Sequence, residues 1–218
     1  RPEELHLKAG GESIADTSKI LSTYGNAFML RTDSDKKLDE FKKYSNIPII
    51  NGLSPSSHPT QVLSDIFTIQ EIKKKSISKL KLCWIGDANN NMMNSLIEAC
   101  IKFSVSLNIA CPKSYQPNKM LISLIKKQKG KIKIFNKKEI AVKNSDVVMT
   151  DKIISLNDKV NKKKKLKSFK NFKVDIKTMN LAKKDAIFLH CLPRGNEVTE
   201  EVFQLSLIHI SEPTRLRS

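Results

Sequence analysis

The sequence predicts an α/β protein of two lobes, each a parallel sheet covered by helices, with a long helix joining them. Short apolar runs alternate with helix-like stretches along the chain, and this alternation is typical of parallel sheets covered on both faces. Four candidate polar groups come directly after apolar runs, namely Arg31, Asp87, Asp151 and His190. Ligands of open parallel sheets bind outside the carboxyl ends of the strands, so the sequence predicts that these groups lie along one rim.

The first lobe is predicted over residues 1–57. Its expected elements are a helix over 14–24, a strand over 27–30, a helix over 36–44 and a strand over 47–50. Ser13 has the side chain of an N-cap and precedes the first apolar-periodic stretch, and Leu38 and Phe41 are expected to face inward from the second helix. Pro48 predicts either an edge position for the second strand or a short strand, because proline cannot donate to the ladder. That strand is expected to stop at Asn51-Gly52.

A linking helix is predicted over 58–74, and a second lobe over 75–204. The helix has Val62, Ile66, Ile69 and Ile72 near one face. In the second lobe, strands are expected at 80–85, 105–110, 132–135, 147–149 and 186–189, with helices at 92–103, 117–129 and 138–144. Residues 205–218 break the composition of everything before them. They are interpreted as a non-native tail and left out of the fold.

The net charge of +17 fits either a nucleic-acid surface or a solvated lysine-rich surface. Only five of the 39 Lys and Arg residues are arginine, and arginine is the residue that forks onto bases and phosphates. The solvated surface is therefore the favoured interpretation, and no nucleic-acid partner is predicted. The run from Lys162 to Lys165 is expected to be a solvated helix face or loop.

The four cysteines form no C-x-x-C pair and have no histidine cluster beside them, so no metal site is expected. Cys83 and Cys100 lie in apolar surroundings and are predicted to be buried. This cysteine usage favours a reducing cytoplasm. No apolar run reaches the about 18 residues that a membrane helix needs, so no membrane partner is predicted.

The sharpest motif is His58-Pro59-Thr60-Gln61, which follows Asn51-Gly52-Leu53-Ser54. An imidazole, a hydroxyl and an amide at a helix start suit a carbonyl oxygen or a phosphate, helped by the positive end of the helix. Taken alone, the motif favours a simple helix cap over a ligand site.

A second motif, His190-Cys191-Leu192-Pro193-Arg194, follows the last predicted strand. Its cysteine and backbone groups could line a polar pocket, and Arg194 adds a cation. The alternatives are a buried cysteine in a turn or a nucleophilic cysteine, and the nucleophile is disfavoured because no partner base is evident.

Two further segments follow predicted strands. The segment 86–95 places a glycine and several asparagines between a strand and a helix, but it lacks G-x-G-x-x-G and so predicts a nucleotide site only weakly. Its side-chain amides suit an amino-acid carboxylate or ammonium group. Thr150-Asp151, with Ser155 close behind, offers a carboxylate for an ammonium group or, alternatively, a helix cap.

Together these segments resemble ornithine carbamoyltransferases in order and spacing. The matching motifs are G-E-S-I-A-D-T from Gly11, N-G-L-S with H-P-T-Q, W-I-G-D with N-N-M-x-N-S, T-D at Thr150, H-C-L-P-R, and E-V-T-E-E-V-F from Glu197. The resemblance covers about residues 5 to 204. It implies transfer of a carbamoyl group from carbamoyl phosphate to L-ornithine, giving L-citrulline and phosphate. It also implies a homotrimer, no cofactor, and a role in arginine biosynthesis.

The resemblance assigns the carbamoyl phosphate side to the first lobe and the start of the linking helix. Arg31, His58 and Gln61 would bind carbamoyl phosphate, with Pro59 and Thr60 shaping the loop. Arg31 and His58 would also stabilise the oxyanion that forms when the neutral amine attacks.

The ornithine side is assigned to the second lobe. The implied residues, in chain order, are Asn90, Asn91, Asp151, Ser155, Leu156, Cys191 and Leu192. Asp151 would bind the side-chain amine region and orient the nucleophile, and Cys191 would lie near the reacting amine. Arg194 extends the match.

The sequence departs from the family pattern in three places. The S-T-R-T-R phosphate loop and the C-terminal segment with another binding arginine are absent, so the chain is expected to be an inactive fragment of an active enzyme. The family loop T-D-x-W-x-S-M-G is replaced over Thr150 to Asn157. Two alternatives stay open: a carbamoyltransferase for another amine, such as putrescine or a modified ornithine, and a non-catalytic basic binding protein.

Overall fold

The computed structural model describes residues 11–127, 131–154 and 161–205. The chain divides into two compact units, Arg1–Thr60 and Gln61–Ser218. The tail predicted to be non-native falls, from residue 206 onward, outside the described residues, as do Ser155 and Leu156.

The first unit contains a parallel pair of strands with helices before and between them. In order, its elements are α1 (Ile14–Leu21), β1 (Phe28–Arg31), α2 (Asp35–Tyr44) and β2 (Ile49–Leu53). The hydroxyl of Ser13 accepts a hydrogen bond from the Asp16 N–H at 3.0 Å, which confirms Ser13 as the N-cap of α1. Phe41 is buried on α2, with its ring centroid 6.2 Å from that of Phe28.

The predicted stop of β2 at Asn51-Gly52 is wrong, because the strand continues to Leu53. A register shift between Leu30 and Arg31 lets Arg31 pair with Leu53, so the ladder carries the chain past the glycine. Pro48 lies just before the strand, and its carbonyl accepts from the Phe28 N–H at 3.0 Å.

The helix α3 (Pro59–Lys73) begins in the first unit and continues into the second. Proline suits its first position, where an N–H would have no helical partner. Val62, Ile66 and Ile69 are buried as predicted, whereas Ile72 is exposed. Ile72 lies in the last turn of the helix, beyond the part that the core covers.

The second unit alternates strands and helices along its length. Its elements are β3 (Lys81–Ile85), α4 (Asn91–Lys102), β4 (Ser106–Ala110), α5 (Lys119–Lys127), β5 (Ile132–Phe135), α6 (Lys138–Val142), β6 (Val147–Thr150), α7 (Lys162–Ser168), α8 (Ile176–Met179), β7 (Ile187–His190) and α9 (Glu200–Leu205). Among the described helices, none is long and apolar enough to cross a membrane.

The five strands of this unit form one parallel sheet in the order β5-β4-β3-β6-β7. Side chains alternate between its faces, so Leu82 and Trp84 enter one core while Cys83 and Ile85 enter the other. This confirms the predicted α/β fold with helices covering a parallel sheet. The strand order reverses direction at β3 and β6, which makes their carboxyl ends the expected ligand site.

The lysine run gives the main correction to the predicted surface. Helix α7 contains it, but Lys165 is buried and its ammonium lies 2.7 Å from the carboxylate of Asp87. The expectation of a solvated run is therefore wrong at Lys165, because a buried anion elsewhere in the unit draws that one side chain inward. Cys83 and Cys100 are buried, as predicted.

Candidate functional site

The carboxyl ends of β3 and β6 are locked together at the switch point. The Thr150 hydroxyl on β6 donates to the Ile85 carbonyl on β3 at 2.5 Å. Gly86 follows with φ +148°, and a Cβ there would lie 3.2 Å from the Thr150 hydroxyl oxygen. Both the backbone conformation and the close approach favour glycine at this position. The turn therefore keeps its backbone and polar groups close to the edge of the sheet.

Asp151 and Cys191 meet at this edge, after the adjacent strands β6 and β7. The Cys191 thiol donates to Asp151 Oδ1 at 2.6 Å, and the Lys152 N–H donates to the same oxygen at 2.6 Å. Neither contact uses Oδ2, so that oxygen is the one suited to an incoming ammonium group.

The environment of Cys191 keeps its sulfur protonated. Burial, and then the negative charge and hydrogen bond of Asp151, raise the pKa of the Cys191 thiol well above its usual range. A thiol that donates to a carboxylate orients that carboxylate, but it is a poor nucleophile. The geometry therefore favours a supporting role for Cys191 over covalent catalysis.

Gln61 and Asp65 form a pair on the first two turns of α3. The Gln61 side-chain nitrogen donates to Asp65 Oδ1 at 2.9 Å, and Asp65 is only 4% exposed. Burial raises the pKa of Asp65 to about 7, the hydrogen bond from Gln61 opposes the rise, and the charge of Asp151 adds to it. Within the second unit, Asp65 is therefore hydrogen-bonded to Gln61 and close enough to Asp151 to feel its charge.

Asp87 serves the architecture of the turn after β3. Its carboxylate pairs with Lys165 and accepts from the Asn89 N–H at 2.9 Å, and its carbonyl accepts from the Trp84 indole at 3.1 Å. Asn90 caps α4 by accepting from the Met93 N–H at 2.8 Å. Asn91, the first residue of α4, is half-buried next to this cap.

The loop after Cys191 is held by a buried pair. His190 Nε2 lies 2.9 Å from Glu197 Oε1, and both side chains are buried. Burial favours the protonated acid, but hydrogen bonds from His190 and the Gly195 N–H outweigh it and lower the pKa of Glu197. His190, predicted as a rim group, therefore supports the loop that carries Cys191.

The remaining residues of the H-C-L-P-R motif differ in their surroundings. Leu192 is half-exposed, so it lies at the surface beside Cys191. The Arg194 guanidinium pairs with Glu200 and lies 4.1 Å from the Phe203 ring centroid. Arg194 thus anchors α9.

In the first unit, polar groups gather where β1 and β2 end. Arg31 is the exposed last residue of β1 and pairs with Leu53 at the end of β2. His58 is half-buried, with Nδ1 3.4 Å from the Thr60 hydroxyl, which donates to the Gly52 carbonyl at 3.1 Å. A cation, an imidazole and the N-terminus of α3 therefore share this unit's strand ends, as suits an anion.

Of the four predicted rim groups, Asp87, Asp151 and His190 lie at the ends of strands of the five-stranded sheet, whereas Arg31 ends a strand of the first unit's own sheet. Sequence reasoning also missed Asp65 and Lys165. Asp65 had a signal, since it is a carboxylate within the apolar face of α3 and four residues after Gln61. Within the described part of the chain, no group of three or more His, Cys, Asp or Glu residues could hold a metal ion.

Comparisons with known proteins match the chain in two consecutive parts. Residues 2–71 match the family model "Aspartate/ornithine carbamoyltransferase, carbamoyl-P binding domain", and residues 78–214 match "Aspartate/ornithine carbamoyltransferase, Asp/Orn binding domain". The chain is 44% identical over 199 residues to the ornithine carbamoyltransferase of Caldicellulosiruptor saccharolyticus, covering 88% of this chain and 64% of that protein.

Solved structures show the same likeness. The anabolic ornithine carbamoyltransferase from Campylobacter jejuni has a TM-score of 0.82 at 40% identity, covering 90% of this chain and 66% of that one. The Pyrococcus furiosus ornithine carbamoyltransferase has a TM-score of 0.80 at 37% identity, covering 89% and 64%. The chain spans 63% to 65% of the length of the first four curated relatives that it matches.

Proposed function

Because the chain belongs to the aspartate/ornithine carbamoyltransferase family, we propose that it carries the substrate-binding residues of an ornithine carbamoyltransferase. The reaction transfers the carbamoyl group of carbamoyl phosphate to the side-chain amine of L-ornithine, giving L-citrulline and phosphate. Curated relatives at 38% to 44% identity carry the name ornithine carbamoyltransferase.

The first unit supplies groups for the donor. Arg31 offers a permanent cation and His58 a ring nitrogen at the strand ends of that unit. These groups bind the phosphate and stabilise the negative charge that develops on the carbamoyl oxygen during attack. Pro59 and Thr60 shape the loop, since Thr60 bonds back to the Gly52 carbonyl.

The second unit supplies groups for the acceptor. Asp151 binds the ornithine ammonium through the oxygen that Cys191 and Lys152 leave open, and it holds the amine in place after deprotonation. Asn91 and Leu192 line the same side, and Ser155 and Leu156 are assigned to it by the family pattern. The neutral amine attacks the carbamoyl carbon and a tetrahedral oxyanion forms. As it collapses, phosphate leaves with the electrons of the C–O bond and takes up the proton released from the attacking nitrogen.

The observation that carries this proposal is the contact between Asp151, which follows the switch-point strand β6, and Cys191, which follows the neighbouring strand β7. The contact places an oriented carboxylate where parallel sheets bind small ligands. An oriented carboxylate is what an amine nucleophile requires, because it selects the cation and then keeps the free amine aligned.

The test is citrulline formation by the protein expressed from its complete reading frame. Turnover from carbamoyl phosphate and L-ornithine is expected, and Asp151→Asn should lower kcat/KM for ornithine on the order of 100-fold. Asp146→Asn is the matched control, because Asp146 is a buried carboxylate at the opposite end of β6 and pairs with Lys183. Equal losses in both variants, or no citrulline at all, would contradict the proposal.

A second candidate is transfer to another amine. The substitutions over 150–157 that remove the family's Trp, Met and Gly favour it. A panel of L-ornithine, putrescine and L-aspartate with the same protein separates the candidates by their kcat/KM values.

The family resemblance also predicts a homotrimer and a role in arginine biosynthesis. One curated relative of similar identity, from Campylobacter jejuni, is named "Ornithine carbamoyltransferase, anabolic". Sedimentation of the complete protein tests the trimer, and complementation of an arginine-requiring strain tests the pathway role.

A further inference from the structure

Asp65 is a buried carboxylate that the proposed reaction leaves without a role. It lies on the apolar face of α3, with Val62 one turn before it and Ile69 one turn after it, and all three are buried. An apolar residue would be the ordinary choice at such a position, because burying a carboxylate costs free energy. Its hydrogen-bond partner is the side chain of Gln61, at 2.9 Å.

The contact fixes which way the Gln61 amide points. An ionised carboxylate can only accept hydrogen bonds, so the amide must turn its nitrogen toward Asp65. The amide oxygen then points away from Asp65 and is presented as an acceptor. The amino group of carbamoyl phosphate can donate a hydrogen bond to this oxygen. The methyl group of an acetyl phosphate cannot.

We infer that Asp65 is a positioning residue that holds the Gln61 oxygen toward the amino group of the carbamoyl donor and so makes the site select carbamoyl phosphate over acyl phosphates. This inference rests on the proposed function and on the family resemblance, which assigns Gln61 to the binding of carbamoyl phosphate. It adds a determinant of donor selectivity that acts through Gln61.

Helix stabilisation alone does not account for Asp65. Amide–carboxylate pairs four residues apart on a helix surface stabilise a helix only slightly. Here the carboxylate is excluded from water and feels the charge of Asp151, and both effects raise its pKa to about 7. The free energy needed to ionise Asp65 therefore exceeds the stabilisation that a surface pair provides.

The protonation state of Asp65 gives a readout that needs no mutation. The protonated acid gains a donor and can also bond to the amide oxygen, so it no longer dictates the orientation of Gln61. The groups that act on Asp65 are Gln61 on its own helix and the Asp151 carboxylate after β6. Donor selectivity should therefore fall as the pH falls through about 7.

The experiment compares carbamoyl phosphate with acetyl phosphate, which carries a methyl group in place of the amino group. The KM for carbamoyl phosphate and the inhibition constant of acetyl phosphate are measured with the complete protein and L-ornithine at pH 8. Asp65→Asn offers both a donor and an acceptor to Gln61. It should raise the KM about tenfold, the value of one hydrogen bond, while leaving acetyl phosphate inhibition unchanged.

A double-mutant cycle shows whether Asp65 acts through Gln61. Gln61→Ala should remove the selectivity by itself, and adding Asp65→Asn should then have no further effect. Asp146→Asn is again the matched control and should keep the wild-type selectivity. The wild-type protein, measured from pH 8 to pH 6, should lose selectivity, and Asp65→Asn should not.

Two results would overturn the inference while leaving the proposed function intact. One is an equal loss of affinity for both phosphates in Asp65→Asn, which is the mark of a merely structural role. The other is a full effect of Asp65→Asn in the Gln61→Ala background. Failure of the wild-type protein to form citrulline would instead remove the proposed function on which the inference rests.

Discussion

The turn after β3 and the first two turns of α3 each bury one aspartate, and they neutralise it differently. Asp87 is 6% exposed and pairs with the ammonium of Lys165, whereas Asp65 is 4% exposed and faces a neutral amide with Asp151 nearby. A full cation satisfies the first carboxylate, so that pair ties α7 to the sheet. The second carboxylate lacks a paired cation among the described residues and destabilises the fold when ionised, which is the pattern expected where function overrides stability.

The largest predicted effect comes from removing the cation that pairs with Asp87, which leaves Asp87 as a buried carboxylate without a paired cation, as Asp65 is within the described part of the chain. Lys165→Met keeps the apolar stem but leaves a buried carboxylate without its cation, and this should lower the free energy of unfolding by about 3–5 kcal/mol. The measurement is urea unfolding followed by Trp84 fluorescence. Trp84 is the only tryptophan in the chain, and it is buried in the core of the second unit.

Lys163→Met is the matched control for this prediction. Lys163 is exposed on the same helix, so its replacement should change the stability by less than about 0.5 kcal/mol. Equal effects at the two lysines would mean that the Lys165–Asp87 pair does not distinguish the two buried aspartates.

The next prediction concerns the pH dependence caused by Asp65. Its pKa is about 7 in the folded protein and 3.8 in the reference state, so the folded state holds the proton more tightly. Stability from this group is present at low pH and is lost as the pH rises from about 4 through 7. Asp65→Asn cannot lose that proton, so its stability relative to wild type should rise by about 2–3 kcal/mol between pH 5 and pH 8.

Urea unfolding of both proteins at pH 5, 6, 7 and 8 measures this difference. Subtracting the two curves removes the titration of all other groups that the proteins share. A stability difference that stays flat, or that falls with rising pH, would show that Asp65 is not a strained carboxylate.

Local sequence patterns were enough to predict most of the second unit. The strand over 132–135 has the predicted bounds, and the other strands lie within one residue of prediction at each end. All of these strands except β5 have buried residues on both faces, so their signal is contained in their own residues. The same holds for Ser13, whose capping bond reaches only to Asp16.

The contacts of the candidate site depend on strand order, which no local pattern contains. Asp151 and Cys191 were each predicted after a strand, but their meeting requires β6 and β7 to be neighbours, with Thr150 beside His190. The error at Lys165 has the same cause. Its partner Asp87 lies far away along the chain, so a run of lysines looks solvated until the fold brings the two together.

The third prediction tests the rigid turn that presents Asp87. Gly86→Ala places a Cβ 3.2 Å from the Thr150 hydroxyl at a φ that disfavours side chains, and should cost about 1–3 kcal/mol. Gly25→Ala is the control, because its Cβ would meet only the Ala27 carbonyl at 3.8 Å. Thermal unfolding followed by circular dichroism compares them, and a Gly86→Ala protein as stable as Gly25→Ala would show that the turn tolerates a side chain.

The smallest predicted effect concerns Asp151, a third aspartate, whose partner is the thiol of Cys191. Burial and the adjacent carboxylate raise the pKa of this thiol, so little thiolate is present at pH 8 and iodoacetamide should alkylate Cys191 slowly. Asp151→Asn removes the negative charge and should speed alkylation about three- to tenfold, since each pKa unit changes the thiolate fraction about tenfold. Peptide mass spectrometry separates Cys191 from the three buried cysteines, and Asp146→Asn should leave its rate unchanged. Rapid alkylation of the wild-type thiol would mean that Asp151 does not hold a protonated partner, and Asp151 would then be oriented by the Lys152 N–H alone.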